Sequence, residues 1–363
     1  MIRSAMPKGK ATPGRAHDLP RQPGGRTGKL TPTHPRAQPE AREKPGAQGK
    51  LWAQYDKLHA RRAGLNGPGP GGAAPARLEP YITSIINQKG GTGKTTTTIN
   101  LGAALAYLGF STLLVDLDPQ GHTTIGLGIE SDAFGESMAE VMNTPGKAVD
   151  DITLLTYIPN LYLAPAHIHL APVAEQIYAR IFREAILYQA LQNLSYDFIL
   201  IDCPPSLGVL TVNALYACDM IVIPCQISRY SLDGLADLLT TVENIKARKP
   251  QDLFQEDFFR ILLTMYDRRN RITNQYVLQE IRPYWHKTFQ TIIMKNEALN
   301  QAQIAQKAIF DYDPESSGSA DYQNLAVEFL QLYHRRTGVP VEERLLKTSV
   351  ISHLRYETDL TNS

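Results

Sequence analysis

Two lysines five residues apart, Lys89 and Lys94, lie in the stretch INQKGGTGKTTTTINL at 86–101. An apolar run, YITSIINQ (81–88), leads into it, and a helical pattern, KTTTTINLGAALAYLG, leads out and closes at Gly109. A strand, a glycine-rich turn and a helix in that order let backbone N–H groups close around phosphate oxygens, where the helix dipole favours anions. Gly93-Lys94-Thr95 fits the end of the pattern G-x-x-x-x-G-K-[ST]. There the lysine neutralises the β- and γ-phosphates of a nucleotide and the hydroxyl ligates Mg²⁺. Gln88 stands where the first glycine belongs, and Lys89 and Gly90 follow it. One lysine suffices to grip a phosphate, so Lys89 needs another task. A second apolar run, STLLVDLD (111–118), ends in the carboxylates Asp116 and Asp118. Unpaired carboxylates at the end of a buried strand are costly, which marks these two as functional candidates.

Other elements must hold these groups in place. LYLAPA (161–166), DFILIDCP (197–204), MIVIPCQ (220–226), RILLTMYD (260–267) and FQTIIM (289–294) also read as strands. They are nearly continuous in apolar residues, as parallel strands covered on both faces are. Strands alternating with helical stretches predict an α/β domain, a mainly parallel twisted sheet flanked by helices. A last helix, DYQNLAVEFLQLYHRRTG, presents Leu325, Phe329 and Leu332 as a packing stripe. No apolar run reaches the roughly 18 residues of a membrane span, and the N-terminus carries no apolar signal core. Cys203, Cys218 and Cys225 form no CxxC pair and read as reduced, buried thiols of a cytosolic protein.

The net charge of +1 conceals an asymmetry. Residues 1–80 hold 15 Lys+Arg against 5 Asp+Glu, so the remaining 283 residues sum to −9. The same 80 residues contain 12 of the 24 prolines and 12 of the 26 glycines, the composition of a disordered basic tail. Within it, LWAQYDKLHARRA (51–63) could set Leu51, Tyr55 and Leu58 on one helical face, either a transient helix or a docking peptide. The expected organisation is a tail over 1–80, an ATPase-like domain over 81–339 and a C-terminal extension over 340–363.

KGGTGKT resembles the deviant Walker A motif of the ParA/MinD family of P-loop ATPases. LLVDLDPQGHTT (113–124) is similar to that family's second acidic motif, and YDFILIDCPPSLGVLTVNAL (196–215) to its Walker B strand and following switch. TMYDRRNRITNQ (264–275) resembles the segment near the adenine, and FDYDPESSGSADYQNLAVEF the C-terminal end of the Soj-like branch. The resemblance covers about residues 81–336. It implies a P-loop NTPase fold, ATP and Mg²⁺ as cofactors, and weak hydrolysis of ATP until a partner stimulates it. By the same resemblance the phosphates lie against Lys89, Gly90, Gly91, Thr92, Gly93, Lys94, Thr95 and Thr96. Lys89 reaches across a two-fold axis to the ATP of a second copy, Asp118 positions the attacking water, Asp116 supports the metal region, and Asp202 holds Mg²⁺ through water.

The Soj-like partition branch further implies a homodimer formed on ATP, DNA bound without sequence preference, and release by a ParB-like or other stimulating protein. The expected location is the cytoplasm, associated with the nucleoid. Residues 260–295 hold seven Lys+Arg against two Asp+Glu, with Arg268, Arg269 and Arg271 close together, and Lys295, Arg335 and Arg336 could join such a face. The family's arginine after the last strand is replaced by Ala298. The nearest alternative is the MinD branch, which cycles on membranes through a basic amphipathic C-terminal helix. PVEERLLKTSVISHLRYETDLTNS (340–363) has three Lys+Arg against four acids, a poor match to anionic lipid, so no stable membrane insertion is expected. The cargo, whether chromosome, plasmid, division machinery or chemoreceptor cluster, is not written in these motifs.

Overall fold

The computed structural model describes residues 79–227, 235–246 and 258–341. The basic tail with its 51–63 segment, and the C-terminal extension beyond 341, lie outside the described residues. Seven strands form one sheet in the order β3-β4-β2-β5-β1-β6-β7. They are β1 (Tyr81–Ile85), β2 (Thr112–Asp116), β3 (Leu154–Leu155), β4 (Leu161–Ala164), β5 (Phe198–Asp202), β6 (Met220–Gln226) and β7 (Phe259–Thr264). All neighbours pair in parallel except the two-residue β3, which runs antiparallel to β4.

The continuous apolar runs follow from burial on both faces. In β5, Phe198 and Leu200 point into one core while Ile199 and Ile201 point into the other. The first core is closed by α1 (Lys94–Tyr107) and by the C-terminal helix, Ser317–Thr337, whose Leu325 and Phe329 are fully buried. Gly102 permits the close approach of α1, since a Cβ there would meet Leu114 Cδ2 at 2.5 Å. The opposite face is covered by helices that include Val209–Ala217. Between them, α2 (His122–Gly126) is a short helix that follows β2. Among the described residues no helix is long and apolar enough to cross a membrane.

The expected strand at 289–294 takes a different form. It pairs in part with β7 and the turn after it: isolated bridges join Ile261 with Thr288 and Tyr266 with Met294, and the Phe289 and Ile293 N–H groups donate to Ile261 O and Leu263 O, each at 2.9 Å. Between them the N–H groups of Gln290 and Thr291 donate to the Glu328 carboxylate, at 2.7 and 2.9 Å. The C-terminal helix thus takes donors that a regular ladder would have used.

Candidate active site

Parallel strands deliver their C-terminal ends to one edge, and the turns that leave it carry the candidate groups. The register places Ile85, Asp116 and Asp202 side by side across β1, β5 and β2. After β1 the chain enters the loop at 87–93. Asn87 anchors its start, donating from Nδ2 to Pro224 O at 2.7 Å and accepting the Lys89 N–H at 2.9 Å. Thr264, at the end of β7, donates to Thr92 O at 2.8 Å and fixes the far side. Gly91 and Gly93 have φ of 71° and 91°, in the left-handed region that glycine occupies without strain. No side chain caps the N-terminus of α1, so its first N–H groups face the loop.

Lys94 is buried, with 8% exposure, and its ammonium donates to Lys89 O at 3.3 Å. Burial lowers its pKa, while the negative charge of Asp202 works the other way. The Lys89 side chain is half-buried on the rim of the loop, and Gly90 and Gly91 are exposed beside it. Thr96 is half-buried in the first turn of α1.

Asp202 accepts two hydroxyls on one oxygen, Thr95 Oγ1 and Thr123 Oγ1, each 2.7 Å from Oδ2. Its other oxygen, Oδ1, is buried without a hydrogen-bond partner. A buried, unsatisfied acceptor costs about 1–3 kcal/mol, and a cation or its water removes that cost. The Thr95 hydroxyl spends its proton on Asp202, which leaves oxygen lone pairs for a metal. This oxygen-only donor set fits Mg²⁺, which takes few protein ligands and completes its shell with phosphates and water. Burial raises the pKa of Asp202, opposed by the Thr123 and Thr95 hydroxyls and by Lys94. Asp116 is raised by burial and then by the adjacent Asp202.

Asp116 faces inward. Its Oδ2 accepts Thr124 N at 2.9 Å and Thr124 Oγ1 at 2.7 Å, and its Oδ1 accepts Asp118 N at 3.3 Å. Both oxygens are therefore engaged by the turn that follows. Asp118, 7% exposed, lies on that turn and accepts Gln120 N at 3.0 Å. Its charge is felt by both Lys94 and Asp202.

The basic residues divide. Arg268, Arg269, Arg271 and Lys295 are exposed just beyond the C-terminal end of β7, on the loop's side of the sheet. Arg269 is held by Asp267, with Nη2 2.7 Å and Nε 2.9 Å from its two oxygens, so its charge is largely matched. Arg336 instead donates to Asp219 O at 3.0 Å and stacks over Tyr81 at 5.6 Å, beside the N-terminal strand ends. Because the strands are parallel, that is the opposite edge of the sheet. Arg336 therefore does not share a face with Arg268, and the exposed Arg335 follows the same helix end. Ala298 sits in the first turn of the helix Glu297–Ile304, its N–H capped by Asn296.

A family profile described as an AAA domain matches residues 81–255, which include the loop and all three aspartates. The sporulation initiation inhibitor protein Soj of Bacillus subtilis is 44% identical over 250 residues, 68% of this chain and 97% of that protein. The chromosome-partitioning ATPase Soj of Treponema pallidum is 40% identical over 249 residues, 68% of this chain and 95% of that protein. The chain belongs to the ParA/Soj family of ATPases. Among solved structures, cobyrinic acid a,c-diamide synthase from Mycobacterium smegmatis with bound ADP and magnesium superposes with a TM-score of 0.59. It is 30% identical and covers 71% of this chain and 96% of its own. Within this ParA/Soj-type site, Asn87, Thr123, Thr124 and Thr264 carry no role in the sequence reading. The pair Thr123-Thr124, just after the second acidic motif's Asp-Pro-Gln-Gly, was the one visible signal.

Proposed function

We propose that this chain is a partition ATPase that binds ATP with Mg²⁺ at the 87–95 loop and dimerises when it does so. The dimer holds DNA without sequence preference and lets go when a partner protein stimulates hydrolysis. The observation that carries the reading is the Thr95–Asp202 pair with its unpartnered Oδ1, under a loop with a second lysine on its rim. The names of the relatives, a chromosome-partitioning ATPase among them, support the cellular task.

Phosphoryl transfer needs positioning and charge neutralisation more than covalent help from the protein. The loop N–H groups and the Lys94 ammonium receive the phosphates. Thr95 Oγ1 and, through water, Asp202 Oδ1 would hold Mg²⁺, which would supply positive charge to offset the phosphates. Asp118 orients the attacking water from the turn after β2. Lys89 extends from the rim to the phosphates of the second copy, so the bound nucleotide becomes part of the interface.

The test separates the two lysines. Lys94→Ala removes nucleotide binding itself. Lys89→Ala keeps ATP binding in the monomer and abolishes ATP-dependent dimerisation. Sedimentation velocity with a non-hydrolysable ATP analogue reads both, and a Lys89→Ala protein that dimerises normally overturns the cross-subunit role.

A further inference from the structure

We propose that Thr123 and Thr124 are positioning residues, whose adjacent hydroxyls tie the turn that carries Asp118 to two carboxylates, Thr123 to Asp202 and Thr124 to Asp116. Through them, a change at the metal-facing end of Asp202 reaches Asp118. The proposal rests on the ATPase reading above and adds to it a coupling between metal binding and the hydrolytic turn.

The geometry is a chain of single-proton donors. Thr123 and Thr124 are 0% and 2% exposed, and each hydroxyl has one proton to give. Thr123 gives it to Asp202 Oδ2 at 2.7 Å, and Thr124 gives it to Asp116 Oδ2 at 2.7 Å. Consecutive residues on a helix point about 100° apart, which lets neighbours address two different strands. Thr124 Oγ1 also accepts Ala166 N at 3.1 Å, so the chain leaving β4 joins the same network. Thr124 N and Asp118 N both donate to Asp116, and Gly121 N donates to Asp118 O at 2.9 Å. The span 118–124 is therefore clasped to Asp116 as a unit, with Thr123 as its link to Asp202.

That link is sensitive by construction. Thr95 and Thr123 donate to the same oxygen, while Oδ1 is left for the cation or its water. A positive charge beside Oδ1 draws electron density toward it and weakens Oδ2 as an acceptor. Thr95 would ligate the metal through a lone pair while its proton stays on Oδ2, so a shift of Thr95 toward the metal would change the share of Oδ2 left to Thr123. Thr123 is the partner whose backbone leads to Asp118. The hydroxyl thus reports metal occupancy to the turn that orients water.

The experiment uses the full chain as wild type, Thr123→Val and Thr123→Ser. Two readouts are taken: steady-state ATPase kinetics, and amide hydrogen exchange of residues 117–126 with a non-hydrolysable ATP analogue, with and without Mg²⁺. Wild type should show Mg²⁺-dependent slowing of exchange in that span. Thr123→Val should bind the analogue within about twofold of wild type, lose the Mg²⁺ response, and lose roughly tenfold in kcat with KM nearly unchanged. Thr123→Ser, which keeps the hydroxyl, should regain both. If Thr123→Val does not fold, Thr123→Ala carries the same expectation in its place. A hydroxyl-less variant with the wild-type Mg²⁺ response and kcat overturns the coupling, as does a wild type whose exchange in this span ignores Mg²⁺ while it hydrolyses ATP. A wild type that binds no nucleotide overturns the ATPase reading instead.

Discussion

Asp118 and Asp116 are two residues apart on one strand end, yet they meet different surroundings. Asp118 faces the charges of Lys94 and Asp202, whereas Asp116 spends both oxygens on the turn. Asp118→Ala should therefore bind nucleotide and dimerise but not turn over, leaving a dimer that persists in plain ATP. Near wild-type hydrolysis in that variant would place water activation elsewhere. A second residue-scale expectation concerns Asp321, which accepts Met294 N at 2.8 Å. Burial pushes its pKa up to about 6, against the opposing effects of the Met294 N–H and of Arg268. A carboxyl raised on folding favours the folded state while protonated, and that contribution is lost as pH rises from about 4 through 6. Asp321→Asn should accordingly stabilise by about 1 kcal/mol above pH 7 and change little near pH 4, as read by thermal melts at both pH values. The shape of the loop was legible because its glycines and lysine lie within a few residues of one another. The Thr123 and Thr124 contacts were not legible, since their partners, Asp202, Asp116 and Ala166, come from three different strand ends.

At the scale of elements, the parallel strands announced themselves because both faces are buried, as Phe198 through Ile201 illustrate. The two-residue β3 was too short to carry a pattern. The segment at 289–294 has a strand's composition and an interrupted ladder: Phe289 and Ile293 bond to β7, while Glu328 takes the N–H groups of Gln290 and Thr291 between them, from 38 and 37 residues away. No local signal encodes that contact. Glu328→Ala should cost about 1–2 kcal/mol in urea unfolding, since two N–H groups lose a charged acceptor and only partly regain water. Glu328→Gln, which keeps one good acceptor, should recover part of the loss. Equal stability of all three proteins would mean that β7 alone holds the segment. The basic residues teach the same lesson, since counting charge over 260–295 cannot reveal that Arg336 belongs to the opposite sheet edge.

For the whole molecule, charge is the dominant asymmetry. Residues 1–80 carry +10 and the remainder −9, while the exposed cations beyond β7 are few and Arg269 is matched by Asp267. A DNA contact made by the domain alone would be modest, so the tail becomes the expected second arm. Each neutralised phosphate contributes about −0.9 to the slope of log affinity against log salt on duplex DNA. Deleting residues 1–78 should leave ATP binding and dimerisation intact and flatten that slope by several units, roughly one per lost phosphate contact. An unchanged slope and affinity would turn attention to 51–63 as a protein-docking segment.

The sheet's two borders also determine how such molecules can behave when crowded. One border is β3, two residues long; the other, β7, is overlaid by the 288–294 segment, whose Phe289 and Ile293 N–H groups bond to β7 at 2.9 Å. Among the described residues, neither offers the long row of open backbone donors and acceptors on which strands from other chains accrete. At these two borders, contacts between copies would fall to side chains rather than to strand pairing.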